Sequence, residues 1–301
     1  MLIDHRNGAC LPWEKQVPSV TVKVFIDQIG KRDNMEFIAK ESLIARQEGR
    51  YDDAVRILTA LFDQIDSGAL AIVGNHFITM FEWSLLVDEY SPARQALASI
   101  RDEQVRRLRD GQVKFGHPHK QWPSPSRFNV IVEMNDILND ERSTYELFVH
   151  LTSFLPSLAN REAHIALPAI IAAGDFALAD AYLDDPMDRL PELNRMAGEL
   201  SLYQPLHGAP RLGAEFSNFM GDVRMRAAIL EGLGRCGEAE LLRNDALAGL
   251  ANSEMRELGI AEIAVPGSIN RELTSRQMGL EDAADTTTTA QPRRSGPAQP
   301  G

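Results

Sequence analysis

The sequence predicts an all-α chain, a right-handed α-α superhelix of stacked antiparallel helix hairpins. Three observations carry this. From Met35 onward apolar residues recur at helical spacing, short turns at Gly49, Gly174 and Gly234 interrupt them, and an alanine follows each turn at the same place. A small side chain there is what a closely crossing partner helix requires.

The totals fit a protein that needs no staples. The chain has 301 residues, 44% hydrophobic and 25% charged, with 43 acidic against 31 basic side chains and a net charge of -12. That length buries a sizeable core unaided. The acidic balance disfavours a nucleic-acid backbone as partner and favours a basic one. The densest basic run, 101–109, also carries Asp102 and Glu103 and reads as a solvated helix face. Cys10 and Cys236 lie far apart without metal-ligand spacing, so reduced thiols in a cytoplasmic protein are expected. Asp4, His5 and Arg6 interrupt any signal-peptide core, and the most apolar later run, 165–173, is too short to span a membrane.

In order, residues 1–33 form an arm. Val20, Val22, Val24 and Ile26 alternate with Thr21, Lys23 and Phe25, so a short strand or an extended segment is expected, with a helix still open. The repeat domain spans 34–275. Its first stripe is Met35, Ile38, Ala39, Leu43 and Ala45; its second is Ala54, Val55, Leu58, Leu61, Phe62 and Ile65, and the short link makes the two helices antiparallel. A helix over 70–87 follows, then one opening at Ser91-Pro92, with Ser91 as cap and Pro92 at the first helical position. Three prolines make 111–127 a long loop, with Trp122 tucked down as its anchor. Helices resume at 128–138 and 144–154, the latter opened by a capping box from Ser143 to Glu146. Further helices are expected at 163–173, 177–183, 191–202, 218–233, 238–250 and 253–258, and a disordered tail over 276–301.

Four turns share one layout. Gly49-Arg50-Tyr51-Asp52-Asp53-Ala54, Asp88-Glu89-Tyr90-Ser91-Pro92-Ala93, Gly174-Asp175-Phe176-Ala177-Leu178-Ala179 and Gly234-Arg235-Cys236-Gly237-Glu238-Ala239 run turn residue, polar, aromatic or sulfur, two variable, alanine. This resembles the tetratricopeptide repeat, best over 35–66 and loosely over 35–250. The alanines fall at unequal intervals rather than the family's period of about 34 residues, so the repeats are degenerate. The 144–154 helix places Thr144 where alanine is expected.

The resemblance implies a concave surface lined by the first helix of each pair. It assigns Glu36, Arg46 and Gln47 to the groove in the first copy and Asn75, Ile78 and Glu82 in the second. Arg161 and His164 would line the third, and Arg224 and Glu231 the fourth. The same residues read equally as exposed helix positions.

Catalytic signatures are sparse. His117-Pro118-His119 has a spacing that holds Zn²⁺ or Ni²⁺ if a third ligand arrives, but no neighbour supplies one. His150 and His164 lie on different helices with apolar neighbours and read as satisfied core or groove histidines. Gly232 to Gly237 matches a dinucleotide fingerprint only in spacing, since it follows a helix, and Cys236 occupies a turn position without a base partner. The expectation is a bacterial-type cytosolic scaffold or adaptor that binds a protein or peptide and has no catalytic activity, no metal and no cofactor. Chaperone, immunity and regulatory roles are its variants. The alternative is a metal-dependent enzyme at the His117–His119 loop.

Overall fold

The computed structural model of the chain describes residues 35–70, 75–117, 124–203 and 211–289. The arm expected at 1–33 and the tail beyond residue 289 lie outside them. Among the described residues every regular element is helical, and the one β-type pairing is a bridge between Lys114 and Ser126. No described helix is long and apolar enough to cross a membrane. Contacts divide the chain into two compact units at residue 183, inside the expected 34–275 domain.

The first unit contains α1 (Met35–Gln47), α2 (Tyr51–Asp66), α3 (Asn75–Glu89), α4 (Ser91–Arg109), α5 (Arg127–Leu138), α6 (Glu141–Phe154), α7 (Pro156–Ala172) and α8 (Phe176–Asp180). Each helix packs on the next, and α1 on α3, α3 on α5, α5 on α7 and α2 on α4. This is the ladder of neighbours and next-neighbours that stacked hairpins produce, because one hairpin cannot bury both of its apolar faces. The amphipathic α2 turns Ala54, Leu58, Leu61, Phe62 and Ile65 inward, and its core continues through Trp83, Leu86, Leu97 and Met134 of the following helices. Each fully buried Leu, Ile or Phe contributes about 1.5–3 kcal/mol.

Ala54, Ala93 and Ala179 are 0–1% exposed. The rings two residues beyond the first two turns also meet: Tyr51 stacks on Tyr90 at 5.2 Å, and the Tyr90 hydroxyl donates to Asp52 Oδ1 at 2.7 Å. Phe176, at the same place in the third motif, is half-buried.

Gly49 and Gly174 end their helices in the left-handed region, at φ 73° and 78°. Asn139 takes the same conformation, φ 53°, between α5 and α6. It lies five residues before the buried Thr144, as Gly49 lies before Ala54. This turn keeps the five-residue spacing but not the full layout, with Asn139 in place of glycine, Glu141 at the aromatic position and Thr144 where alanine is expected. Asn139→Gly is expected to hold stability within about 0.5 kcal/mol, whereas Asn139→Val costs roughly 1–2 kcal/mol, because a β-branched side chain clashes at positive φ. Urea denaturation of the two variants checks this.

Several local expectations are corrected. Ser91 does not cap α4: Tyr90 stands at that position and no side chain accepts a bond there. The helix expected to open at Thr144 opens at Glu141, where Asp140 accepts from the Ser143 N–H at 3.2 Å, so Ser143 is inside the helix. Pro156 in its first turn starts α7 earlier than expected, and Pro168 lies inside it. The 111–127 loop is closed at its neck by Phe115 N–H to Pro125 O (3.1 Å) and Arg127 N–H to Val113 O (2.8 Å). Its observed anchor is the fully buried Phe115, 5.1 Å from the Phe62 ring; Trp122 lies outside the described residues.

The second unit contains a 3₁₀ turn (Pro186–Arg189), α9 (Leu190–Glu199), α10 (Arg211–Gly232), α11 (Cys236–Gly249), α12 (Ser253–Ala264) and α13 (Ser268–Thr289). Here α10 packs against the 3₁₀ turn and all four other helices, a hub rather than a ladder. Gly234 turns α10 into α11 at φ 77°, and Ala239 is fully buried. Residues 276–289, expected to be disordered, continue α13.

Candidate partner-binding surface

The two groove residues that meet are braces. Arg46 Nε lies 3.2 Å from Glu82 Oε2 and its Nη1 lies 2.7 Å from Glu89 Oε1, so one guanidinium ties α1 to α3. Burial pushes the Glu82 carboxyl up; Arg46 pulls it back and Glu89 adds to the rise. Neither residue is free to greet a partner. Asn75 is buried, Ile78 is half-buried, and the Glu36 side chain lies outside the described residues. Gln47, Arg161 and His164 are exposed, and Arg161 Nε lies 2.9 Å from Glu162 Oε1.

Arg224 and Glu231 belong to the second unit. Arg224 Nη1 lies 3.0 Å from the buried Glu262 Oε1, and Glu231 lies 2.6 Å from Arg243 Nη2. Glu262 also accepts the Gly267 and Ile269 N–H groups at 2.9 and 3.1 Å. It thereby joins α10 to the start of α13, where free backbone donors favour a carboxylate. Arg224 is a brace as well.

Other chemistry singled out in the sequence is dispersed. His117 is exposed, with its ring against Gly68, while His119 lies outside the described residues. Among the described residues no three His, Cys, Asp or Glu side chains gather in a metal-holding arrangement. His150 and His164 are exposed rather than core residues, and Cys236 is exposed with a free thiol. His76, which the sequence reading passed over, places Nε2 2.7 Å from Glu133 Oε2 between α3 and α5.

A cleft of about 330 Å³ opens elsewhere in the first unit. It is lined by Arg101, Val105, Arg106 and Arg109 of α4, Asn135 of α5 and Leu147 of α6, with Asp102, Ser143 and Glu146 completing the wall. Whereas α2 packs on α4, α4 and α6 are not a principal packing pair, and the cleft occupies the gap. Its floor is polar. Arg101 Nη1 donates to Asn135 Oδ1 at 2.5 Å and to Asp140 Oδ2 at 2.9 Å, and Asn135 Nδ2 donates to Thr144 Oγ1 at 2.9 Å. Threonine at the alanine position therefore has a physical reason: it completes a buried polar chain across three helices, whose unpaired groups would each cost about 1–3 kcal/mol. In the sequence Thr144 at the alanine position and the 101–109 run stand out, but neither points to this chain.

Burial alone would raise the Asp140 carboxyl, but the Ser143 and Arg101 bonds outweigh it and hold Asp140 below its ordinary range. A lowered folded-state value contributes stability that is present above the unfolded value and lost as pH falls through the folded one. Asp140→Asn, which retains a capping oxygen, is expected to flatten the loss of stability between roughly pH 5 and pH 2. Denaturation midpoints at stepped pH measure this.

No family model, curated protein or solved structure matches the chain.

Proposed function

We propose that the chain is a protein- or peptide-binding scaffold built on degenerate tetratricopeptide-like repeats, without a catalytic role. The observation that carries the reading is the burial of Ala54, Ala93, Ala179 and Ala239, each five residues beyond its turn residue. In the first unit the ladder of α1 to α8 supports it further. A right-handed superhelix of such hairpins has a concave face made by α1, α3, α5 and α7, a surface that takes an extended or helical segment of another protein. Chaperone, immunity and regulatory roles are all served by such a face in a cytoplasmic protein.

The residues that report on this face are the exposed ones, Gln47 and His164, rather than the bracing Arg46 and Glu82. Affinity capture from native-source extract is expected to recover one protein in stoichiometric amount with the full chain. The doubly substituted Gln47→Lys, His164→Glu variant should lose it while keeping the circular dichroism spectrum and melting temperature of the parent. Capture unchanged by the substitutions, or no partner at all, sinks the reading.

A further inference from the structure

We propose that the cleft between α4 and α6 is a docking site for an acidic peptide segment, one that places an aliphatic side chain against Val105 and Leu147 and a carboxylate on Arg109. This rests on the scaffold reading and adds a second contact place, between the second helices of two hairpins rather than on the concave face.

The first support is charge. Every other ion lining the cleft already has a counter-ion within the unit. Arg101 is held by Asp140 and Asp102, Arg106 by Glu103 and Asp110, and Glu146 by Arg142 at 2.7 Å. Arg109, exposed and four residues beyond Val105 on the same face of α4, has no ion pair among the described residues. One guanidinium lining the cleft thus has no counter-ion among the described residues, on a chain of net charge -12. A planar fork of N–H donors at the rim favours a carboxylate over any neutral group. The local preference is opposite to the basic partner suggested by the net charge, because a contact is governed by charges within a Debye length rather than by the total.

The second support is shape and rigidity. Leu147 is 4% exposed and Val105 half-buried, so they form an apolar wall rather than an exposed patch. The buried chain Arg101–Asn135–Thr144 stands between the helices and keeps them from closing. A preformed gap loses less on binding than one that must open. A volume of about 330 Å³ accommodates one large aliphatic side chain with its flanking backbone.

The test is selection of random displayed peptides on the full-length protein, followed by fluorescence anisotropy with the leading peptide, labelled with fluorescein. Enriched sequences are expected to pair an acidic with an aliphatic residue. Their affinity should fall at least about tenfold on Arg109→Glu, as expected when a charge pair becomes a like-charge contact. It should fall similarly on Val105→Asp, stay unchanged on Gln47→Lys, and weaken as salt is raised. Arg109 is exposed, so its variant keeps the fold even if Val105→Asp does not. The inference is overturned if nothing is enriched, if the enriched peptides are basic, if free acetate or aspartate competes as well as the peptide, or if Arg109→Glu leaves affinity intact. A native partner that is lost on Gln47→Lys, His164→Glu but bound normally by Arg109→Glu would overturn this site and leave the scaffold reading standing.

Discussion

Arg127→Met is expected to destabilise the protein by about 3–5 kcal/mol, the cost of breaking a buried ion pair and leaving one charge behind. Arg127 and Asp66 side chains are both 4% exposed, with Nη2 3.0 Å from Asp66 Oδ1. The same guanidinium contacts Gln104 Oε1, donates to the Gln112 and Lys114 carbonyls at 2.8 Å each, and covers the Phe115 ring at 5.6 Å. It therefore fastens the neck of the 111–127 loop to the end of α2. Arg107, 2.6 Å from Asp66 and partly exposed, offsets some of the loss. Replacing both partners, Arg127→Met with Asp66→Leu, should recover part of it, since no buried carboxylate is then stranded. Guanidinium denaturation of the two variants decides: a single variant costing under about 1 kcal/mol, or a double variant worse than the single, contradicts the role assigned to the pair.

Ala93→Leu is expected to cost about 1–3 kcal/mol through overpacking. Ala93 has no exposed surface and belongs to the core that joins α1 to α5, so the added carbons must displace backbone or force poor rotamers. Ala177→Leu, on the exposed face of α8, serves as control and should stay within about 0.5 kcal/mol. Equal melting temperatures for the two variants would mean that no helix crosses closely at Ala93. The repeat reading would then lose its basis.

Much of the helical order was legible before any coordinates. Of the stripe Ala54, Val55, Leu58, Leu61, Phe62 and Ile65, all but the half-buried Val55 are buried, and the turn glycines adopt positive φ. Two missed caps share one cause. The Ser91-Pro92 and Ser143–Glu146 patterns mark caps in the sequence, but a cap is decided by which residue leaves helical geometry, and Asp140 competes better than Ser143. The tail from Arg276 lacks an apolar stripe, yet Ile269 and Leu273 anchor the first turns of α13 in the second core, and the rest propagates from that start.

The candidate surface was legible only in outline. Arg46, Glu82 and Arg224 have the polarity of groove residues, and nothing in their spacing along the chain told a brace from a binding group. The cleft was invisible, because the long loop separates Arg101 on α4 from Asn135 and Leu147 on the two helices that follow it.

By itself, then, the sequence determined the helices and the small residues at their crossings, since both depend on periodicity and side-chain size within a few turns of chain. Tertiary structure alone decided which charges pair with one another, that Arg109 has no ion pair among the described residues, and that Ala239 and its turn join a hub around α10 instead of a ladder. Pairing and packing depend on distances between residues remote in the chain, and a one-dimensional pattern does not contain those distances.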